Sequence, residues 1–291
     1  MTIDDLLMQH GSVWIVRSPK ELWRTDAQAE LWLRFMNSSP HAEGHYGDEY
    51  RLLEHHASAI SAGIALPANI VDLGCGDGNK ARILLSGLAG KPARYIPVDA
   101  NRLFAENAAM SSSQQGIPSE AAVWDFFDLD FKRIRTAQYP NNFYLLLGNL
   151  NYPIEQITAL FRAAVKESDA ALLGTELMPD NISSVIEALR TNPHIKEWLN
   201  AAIASLGFKS HELEFNPRFN FATGQIEYGS DILQVPGEFS GSPMNPGDRI
   251  VFACSYRPAE SELRSWFSAD FNVRLFSRES GRAALAFLTR K

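Results

Sequence analysis

An apolar run that ends in three alternating glycines restricts this chain more than anything else in it. Ile70-Val71-Asp72-Leu73 has the length and branched content of a buried strand, and it runs straight into Gly74-Cys75-Gly76-Asp77-Gly78. Glycines at 74, 76 and 78 let the main chain turn tightly and approach a bound molecule closely. A helical pattern follows over Lys80–Leu88. Strand, glycine turn and helix in that order predict an α/β sheet with its ligand at the carboxyl end of the strand.

The same alternation continues downstream. Tyr95-Ile-Pro-Val98 ends in Asp99, Ala121-Ala-Val-Trp124 ends in Asp125, and Phe143–Leu147 ends in Gly148-Asn149. Helical stretches lie near Leu103–Met110 and over Glu155–Lys166, and Ala170–Gly174 is a further strand, ending in Glu176. Five short apolar strands alternating with helices predict a parallel sheet covered on both faces. Val273–Phe276 and Ala283–Thr289 read as a closing hairpin, and Glu260–Phe267 as the helix before it. The fold class expected is α/β, a Rossmann-like core of seven strands, mostly parallel with an antiparallel C-terminal hairpin, carrying an inserted α+β substrate domain.

Two regions fall outside that alternation. The first fifty-odd residues read as helical, with Leu22, Trp23, Leu31, Trp32, Phe35 and Met36 at helical spacing after Ser18-Pro19, and a second helix around Asp48–Ala62. Residues 181–256 carry two helices, then a Phe- and Asn-rich segment and a strand over Asp248–Tyr256, which suggests inserted antiparallel β structure. The expected division is a core of residues 55–180 and 257–291, with 1–54 and 181–256 forming N-terminal helices and an inserted lid or substrate domain.

The glycine pattern narrows the ligand. A dinucleotide fingerprint wants Gly-x-Gly-x-x-Gly, but here the third glycine comes one residue early and position 79 is Asn. No Gly-Lys-Ser/Thr phosphate clamp is present, and Asp77 inside the loop suits a cationic amino-acid moiety better than a pyrophosphate. Asp99 ends the next strand, where a carboxylate can accept both hydroxyls of a ribose.

Composition excludes other classes. A net charge of −7 argues against a nucleic-acid partner or a polybasic membrane surface. Hydrophobic residues make up 45% of the 291, ordinary for a globular enzyme, yet the longest apolar stretches are far too short to cross a bilayer. The opening MTIDDLLMQH is acidic, with no basic flank before an apolar run, and does not read as a signal peptide. Only Cys75 and Cys254 occur, so no disulfide framework is expected and a reducing, cytoplasmic location fits. His41 and His45 stand four apart but flank a probable loop with no completing ligand, and His55-His56 cannot share a helix face. No metal is expected.

Asp-Leu-Gly-Cys-Gly-Asp-Gly followed by Val98-Asp99 resembles the first two motifs of the class I S-adenosylmethionine (SAM)-dependent methyltransferases. A narrower resemblance rests on Gly-x-Gly-x-x-x-Lys at Gly74–Lys80, Tyr95–Asp99, Asp125-Phe126, Gly148-Asn149-Leu150, Leu172–Asp180 and Ser255-Tyr-Arg257. In that order these are similar to the histidine-specific N-methyltransferase family of the ergothioneine pathway, over about residues 40–291. The resemblance implies SAM as cofactor, converted to S-adenosylhomocysteine, with contacts at Gly74, Lys80, Asp99, Asp125 and Phe126. Asp72, Cys75, Gly76, Asp77, Gly78, Ala100 and Gly148 complete the candidate cofactor residues. It also implies that Asn149 holds the amino-acid group of the substrate. Tyr46, Tyr152, Glu176, Ser255 and Tyr256 are the other candidate substrate residues, with Ser255 and Tyr256 shaping a side-chain pocket.

The departures from that family bear on the substrate. Where the histidine enzyme reads imidazole with a Glu-x-Ser pair, this chain has Ala253 and Ser255, so the carboxylate is missing. The family's Phe-Tyr-Asp ahead of the glycine matching Gly47 reads Glu43-Gly44, leaving Tyr46 as a substitute for the usual tyrosine. The reading is therefore N-methylation of an amino acid or related small amine other than histidine. The alternatives are O- or C-methylation of a secondary metabolite and a non-catalytic partner subunit. No strong general base stands out; Asn149 positions the substrate. The expected partners are the small amine alone, with the chain a monomer or weak homodimer.

Overall fold

The computed structural model describes residues 6–17, 22–23, 25–38, 45–148, 151–277 and 281–291, with the backbone alone at His45, Tyr46 and Glu238. The strands are β1 (Leu7–His10), β2 (Val13–Val16), β3 (Ala68–Leu73), β4 (Ala93–Asp99), β5 (Ala122–Val123), β6 (Asn141–Leu146) and β7 (Ala170–Glu176). They continue as β8 (Leu213–Phe215), β9 (Arg218–Asn220), β10 (Gln225–Ile232), β11 (Arg249–Tyr256), β12 (Phe271–Ser277) and β13 (Ala283–Arg290). The helices are α1 (Asp26–Met36), α2 (His45–Ser61), α3 (Asn79–Ser86), α4 (Arg102–Gln114) and α5 (Phe131–Ile134). After them come α6 (Ile154–Ala164), α7 (Ile182–Thr191), α8 (Pro193–Ser205) and α9 (Glu260–Phe267).

The chain divides into two compact units, Met1–Pro40 with Leu150–Tyr152 and Pro179–Arg257, and His41–Asn149 with Pro153–Met178 and Pro258–Lys291. The second unit is built on a seven-stranded sheet ordered β12-β13-β7-β6-β3-β4-β5. β5, β4, β3, β6 and β7 run parallel; β13 pairs antiparallel with β7, and β12, antiparallel to β13, closes that edge running in the direction of the other five. From β3 the chain first winds outward through β4 and β5, then returns to β6 on the other side. That reversal opens a crevice at the carboxyl ends of β3 and β6.

Burial explains why these segments became strands and helices. β3 is buried at all six residues, as a strand covered on both faces must be. Its one polar residue at the amino end, Asn69, is satisfied by donating to Asn142 Oδ1 at 2.8 Å and the Tyr139 carbonyl at 3.1 Å. α6 buries Ile157, Leu160, Phe161 and Ala164, the spacing of one helix face. Each such large side chain contributes about 1.5–3 kcal/mol. The sheet unit also takes in α2, which the sequence reading grouped with the insertion. Its Leu52, Leu53 and Ile60 pack in one core with Ile70, Phe143 and Leu285, so the boundary falls after residue 40 rather than 54.

In the other unit, β1-β2-β11-β10-β8 form a sheet, with β9 also paired to β10. β2 runs parallel to β11, and the remaining pairs are antiparallel. Here the expectation of an all-helical beginning is corrected. Val13-Trp-Ile-Val16 is a β-branched run preceded by a turn whose Gly11 has φ +62°, and its residues alternate in burial with Trp14 and Val16 inward. Trp14 Nε1 donates to Asp248 at 3.1 Å, which ties the hairpin to the segment before β11. α1 does form where Leu31, Trp32 and Phe35 predict it, opened by a Thr25–Gln28 capping box. Trp23, Trp32 and Trp198 of this unit pack with ring centroids 4.7–5.8 Å apart.

Candidate active site

The glycine loop leaves β3 in a conformation that side chains resist. Gly74, Gly76 and Gly78 have φ of +69°, +52° and +70°. The loop is fastened to β4, because Gly74 and Cys75 donate their N–H groups to the Val98 carbonyl at 2.8 and 3.1 Å. The glycines serve different ends. A Cβ on Gly78 would come within 2.8 Å of Ala108 Cβ in α4, so that glycine admits the neighbouring helix. A Cβ on Gly76 would meet nothing within 4 Å, so the loop presents bare backbone to open space there. That is a cradle for a ligand pressed against the main chain.

Carboxylates surround the loop. Asp99 accepts the N–H of Gly76 at 3.2 Å and of Asn101 at 2.9 Å. Desolvation nevertheless pushes its carboxyl up to about 6, the backbone donors pulling the other way. Asp72 is buried and accepts the Tyr95 hydroxyl at 2.6 Å. Burial raises it to about 7, against the tyrosine's opposing effect and with help from Asp99 and Asp77. Asp77 is held by Asn79, accepting from its backbone N–H at 3.0 Å and its side-chain amide at 2.6 Å. The Cys75 thiol is pushed well up by burial and by these carboxylates, which disfavours the thiolate.

Across the crevice, the Phe126 ring lies over the loop, 3.6 Å from where a Gly74 Cβ would be. Asp125 accepts the Phe127 N–H at 3.1 Å, which fixes the turn beyond β5. Ala100 is exposed on the turn after Asp99. Gly148, with φ +112°, turns the chain after β6. Lys80 of α3 pairs with Glu49 of α2, whose other oxygen accepts the Gly148 N–H at 3.0 Å. Glu176 is buried at the end of β7. All these residues belong to the sheet unit, and the loop, Asp99 and the Lys80 and Gly148 positions meet at one end of the sheet. Glu49 escaped the sequence reading. It lies in no motif, 31 positions from Lys80, and only a glycine in the middle of β7 hinted that something large approaches there.

Of the candidate substrate residues, Asn149 and the Tyr46 side chain lie outside the described residues, as do His41, Glu43 and Gly44. Tyr152, Ser255 and Tyr256 belong to the other unit. Ser255 is fully buried and its hydroxyl accepts from Arg257. Consecutive strand residues point to opposite faces, so Ser255 and Tyr256 leave the end of β11 on different sides. Ser255 shares its face with Ala253 and, across the ladder, with Ile226 and Tyr228. Among the described residues no group of three His, Cys, Asp or Glu side chains could hold a metal ion, and no helix is long and apolar enough to cross a membrane.

An open glycine cradle backed by a carboxylate at the end of the next strand, on a seven-stranded sheet closed by an antiparallel hairpin, defines a SAM-dependent methyltransferase. Solved structures share the fold. A protein of Pyrococcus horikoshii OT3 is 12% identical, matching 92% of this chain and 100% of its own with a TM-score of 0.54. A SAM-dependent methyltransferase from Clostridium acetobutylicum ATCC 824 is 12% identical over 90% of this chain and 98% of its own, with a TM-score of 0.52. No curated protein sequence matches the chain. The family model for the histidine-specific, SAM-dependent methyltransferases matches residues 44–274, and the chain belongs to that family.

Proposed function

We propose that this enzyme N-methylates the amine of an amino acid or a related small molecule other than histidine. The observation that carries the reading is Ala253. It stands where the family's histidine enzyme has the carboxylate of its Glu-x-Ser pair, and it is buried in an apolar cluster with Tyr228, Ile250 and Phe252. The Ala253 methyl group cannot accept a ring N–H as a carboxylate does, and a buried donor left unpaired costs about 1–3 kcal/mol. That is enough to displace histidine as the preferred substrate.

SAM supplies a methyl group on a good leaving group, so the chain's own task is positioning. In-line displacement needs the amine nitrogen about 3 Å from the methyl carbon, collinear with the breaking bond. Asp99 would hold the ribose hydroxyls, and Gly74, Gly76, Lys80, Asp125 and Phe126 the remainder of the cofactor. Asn149, directly after the Gly148 turn, would hold the amino-acid group of the substrate. The amine must arrive neutral, which a desolvated site favours by lowering its pKa. No dedicated base is required.

The test is product analysis. Purified protein is incubated with SAM and each common amino acid or biogenic amine, and products are read by mass spectrometry and by loss of reactivity toward amine-labelling reagents. The expected result is a methylated amine other than histidine. Histidine as the substrate of highest kcat/KM would overturn the reading, as would a methylated product that still reacts with a primary-amine-specific reagent, which would indicate O- or C-methylation.

A further inference from the structure

The carboxylate of Glu49 is a junction that no glycine-loop motif contains. Only 4% of the residue is exposed. One oxygen pairs with Lys80 in the first turn of α3, and the other accepts the Gly148 N–H at 3.0 Å. Two glycines make room for this pair. A Cβ on Gly174, in the middle of β7, would fall 1.9 Å from Glu49 Oε1 and 2.9 Å from its Cδ. A Cβ on Gly148 would come within 3.4 Å of Lys80 Nζ. Glycine inside a strand forfeits packing and backbone order and often marks a close approach; here what approaches is the Glu49 carboxylate. Lys80 also sits at the positive end of its helix, where a cation is disfavoured. An ammonium enclosed there needs an opposite charge, and Glu49 provides it.

We propose that Glu49 is a positioning residue of the cofactor site, fixing the Lys80 ammonium above the Gly148 turn so that it meets the carboxylate of the cofactor's methionine moiety. The inference rests on Lys80 being a cofactor contact. It adds that the contact is set from α2, through a side chain that need not touch the cofactor. A buried ion pair is a weak source of net stability but an effective way to fix geometry.

Two ligands separate this role from a merely structural one. S-adenosylhomocysteine carries the amino-acid part, whereas methylthioadenosine has the same nucleoside and a thioether without it. Calorimetric titration of both is compared among the wild type, Lys80→Met, Glu49→Gln and Gly174→Ala. Gly174→Ala forces the Glu49 carboxylate aside while leaving every charge in place. All three variants are expected to bind S-adenosylhomocysteine about tenfold more weakly or worse, while methylthioadenosine changes by less than about twofold. Should Glu49→Gln not fold, Gly174→Ala carries the same comparison, and methylthioadenosine binding reports that each variant is folded. Equal losses for both ligands in Glu49→Gln and Gly174→Ala would make Glu49 structural and overturn the proposal. Loss in Lys80→Met but not in the other two would overturn it while leaving Lys80 as a contact. No loss in Lys80→Met would remove the contact and the proposal with it.

Discussion

Asp99 Oδ2 accepts the backbone N–H of Gly76 at 3.2 Å, so the carboxylate that ends β4 and the loop that leaves β3 are held as one piece. This couples two functions usually considered apart. The carboxylate orders the loop, and the loop's N–H holds the carboxylate toward the open side of the cradle. Asp99→Ala should therefore weaken S-adenosylhomocysteine binding by about 10- to 100-fold, the worth of one or two charge-assisted hydrogen bonds. Isothermal calorimetry reads this directly, and unchanged affinity would remove Asp99 from the site.

Asp72 and Asp99 make the protein respond to pH in two opposite senses. Burial raises both carboxyls from the ordinary 3.8, Asp72 to about 7 and Asp99 to about 6. Between about pH 4 and 7 the native state keeps protons that an unfolded chain has released, so their contribution to stability falls as pH rises through that window. For Asp72 the loss is at most about 4 kcal/mol. Asp72→Asn should thus gain on the wild type in urea unfolding as pH is taken from 5 to 8. Cofactor affinity runs the other way, strengthening as Asp99 ionises near pH 6. A stability gap between Asp72→Asn and the wild type that stays constant with pH would contradict the first half.

The glycines of the loop should separate folding from binding. Gly78→Ala combines a left-handed backbone at φ +70° with a Cβ only 2.8 Å from Ala108 Cβ, and it should cost well over the ~1–2 kcal/mol of the backbone strain alone. Gly76→Ala, at φ +52° with nothing nearby, should cost only that strain. It should instead lose cofactor binding, because its methyl group fills the cradle. Melting temperatures and calorimetric titration of the two variants give the comparison. A Gly76→Ala protein that binds as the wild type does would show that the cradle faces away from the cofactor.

What was legible in the sequence followed from local chemistry. Strand ends carrying Asp99, Asp125 and Glu176 stand out because polar residues interrupt apolar runs, and the α/β alternation places them on one edge. The β1–β2 hairpin was harder to see because its Trp and Val residues also fit the helical texture beyond Ser18; the turn at Gly11 was the available signal. Glu49 was illegible because its partners, Lys80, Gly148 and Gly174, come from three other elements and meet only after the sheet forms. Ser255 and Tyr256 are neighbours in the sequence, and only the pleat of β11 reveals that their side chains leave it on opposite faces.

Ala253 offers the most direct way to ask what the site accepts. It is buried on β11 opposite Tyr228, among Ile250 and Phe252. Ala253→Glu restores the residue type of the histidine enzyme, but in surroundings that are now apolar. An unpaired carboxylate there resists ionisation, so the variant should be less stable than the wild type, and increasingly so as pH rises past the ordinary carboxyl range. Histidine, by donating its ring N–H to the new carboxylate, should recover part of that cost and bind about tenfold more tightly than to the wild type. A thermal-shift series at pH 6 and pH 8, with S-adenosylhomocysteine present and histidine varied, measures both effects, since a ligand of the native state raises the melting temperature by mass action. If histidine stabilises the wild type as strongly as the variant, Ala253 is not what sets the substrate, and the preference must come from residues that the two proteins share.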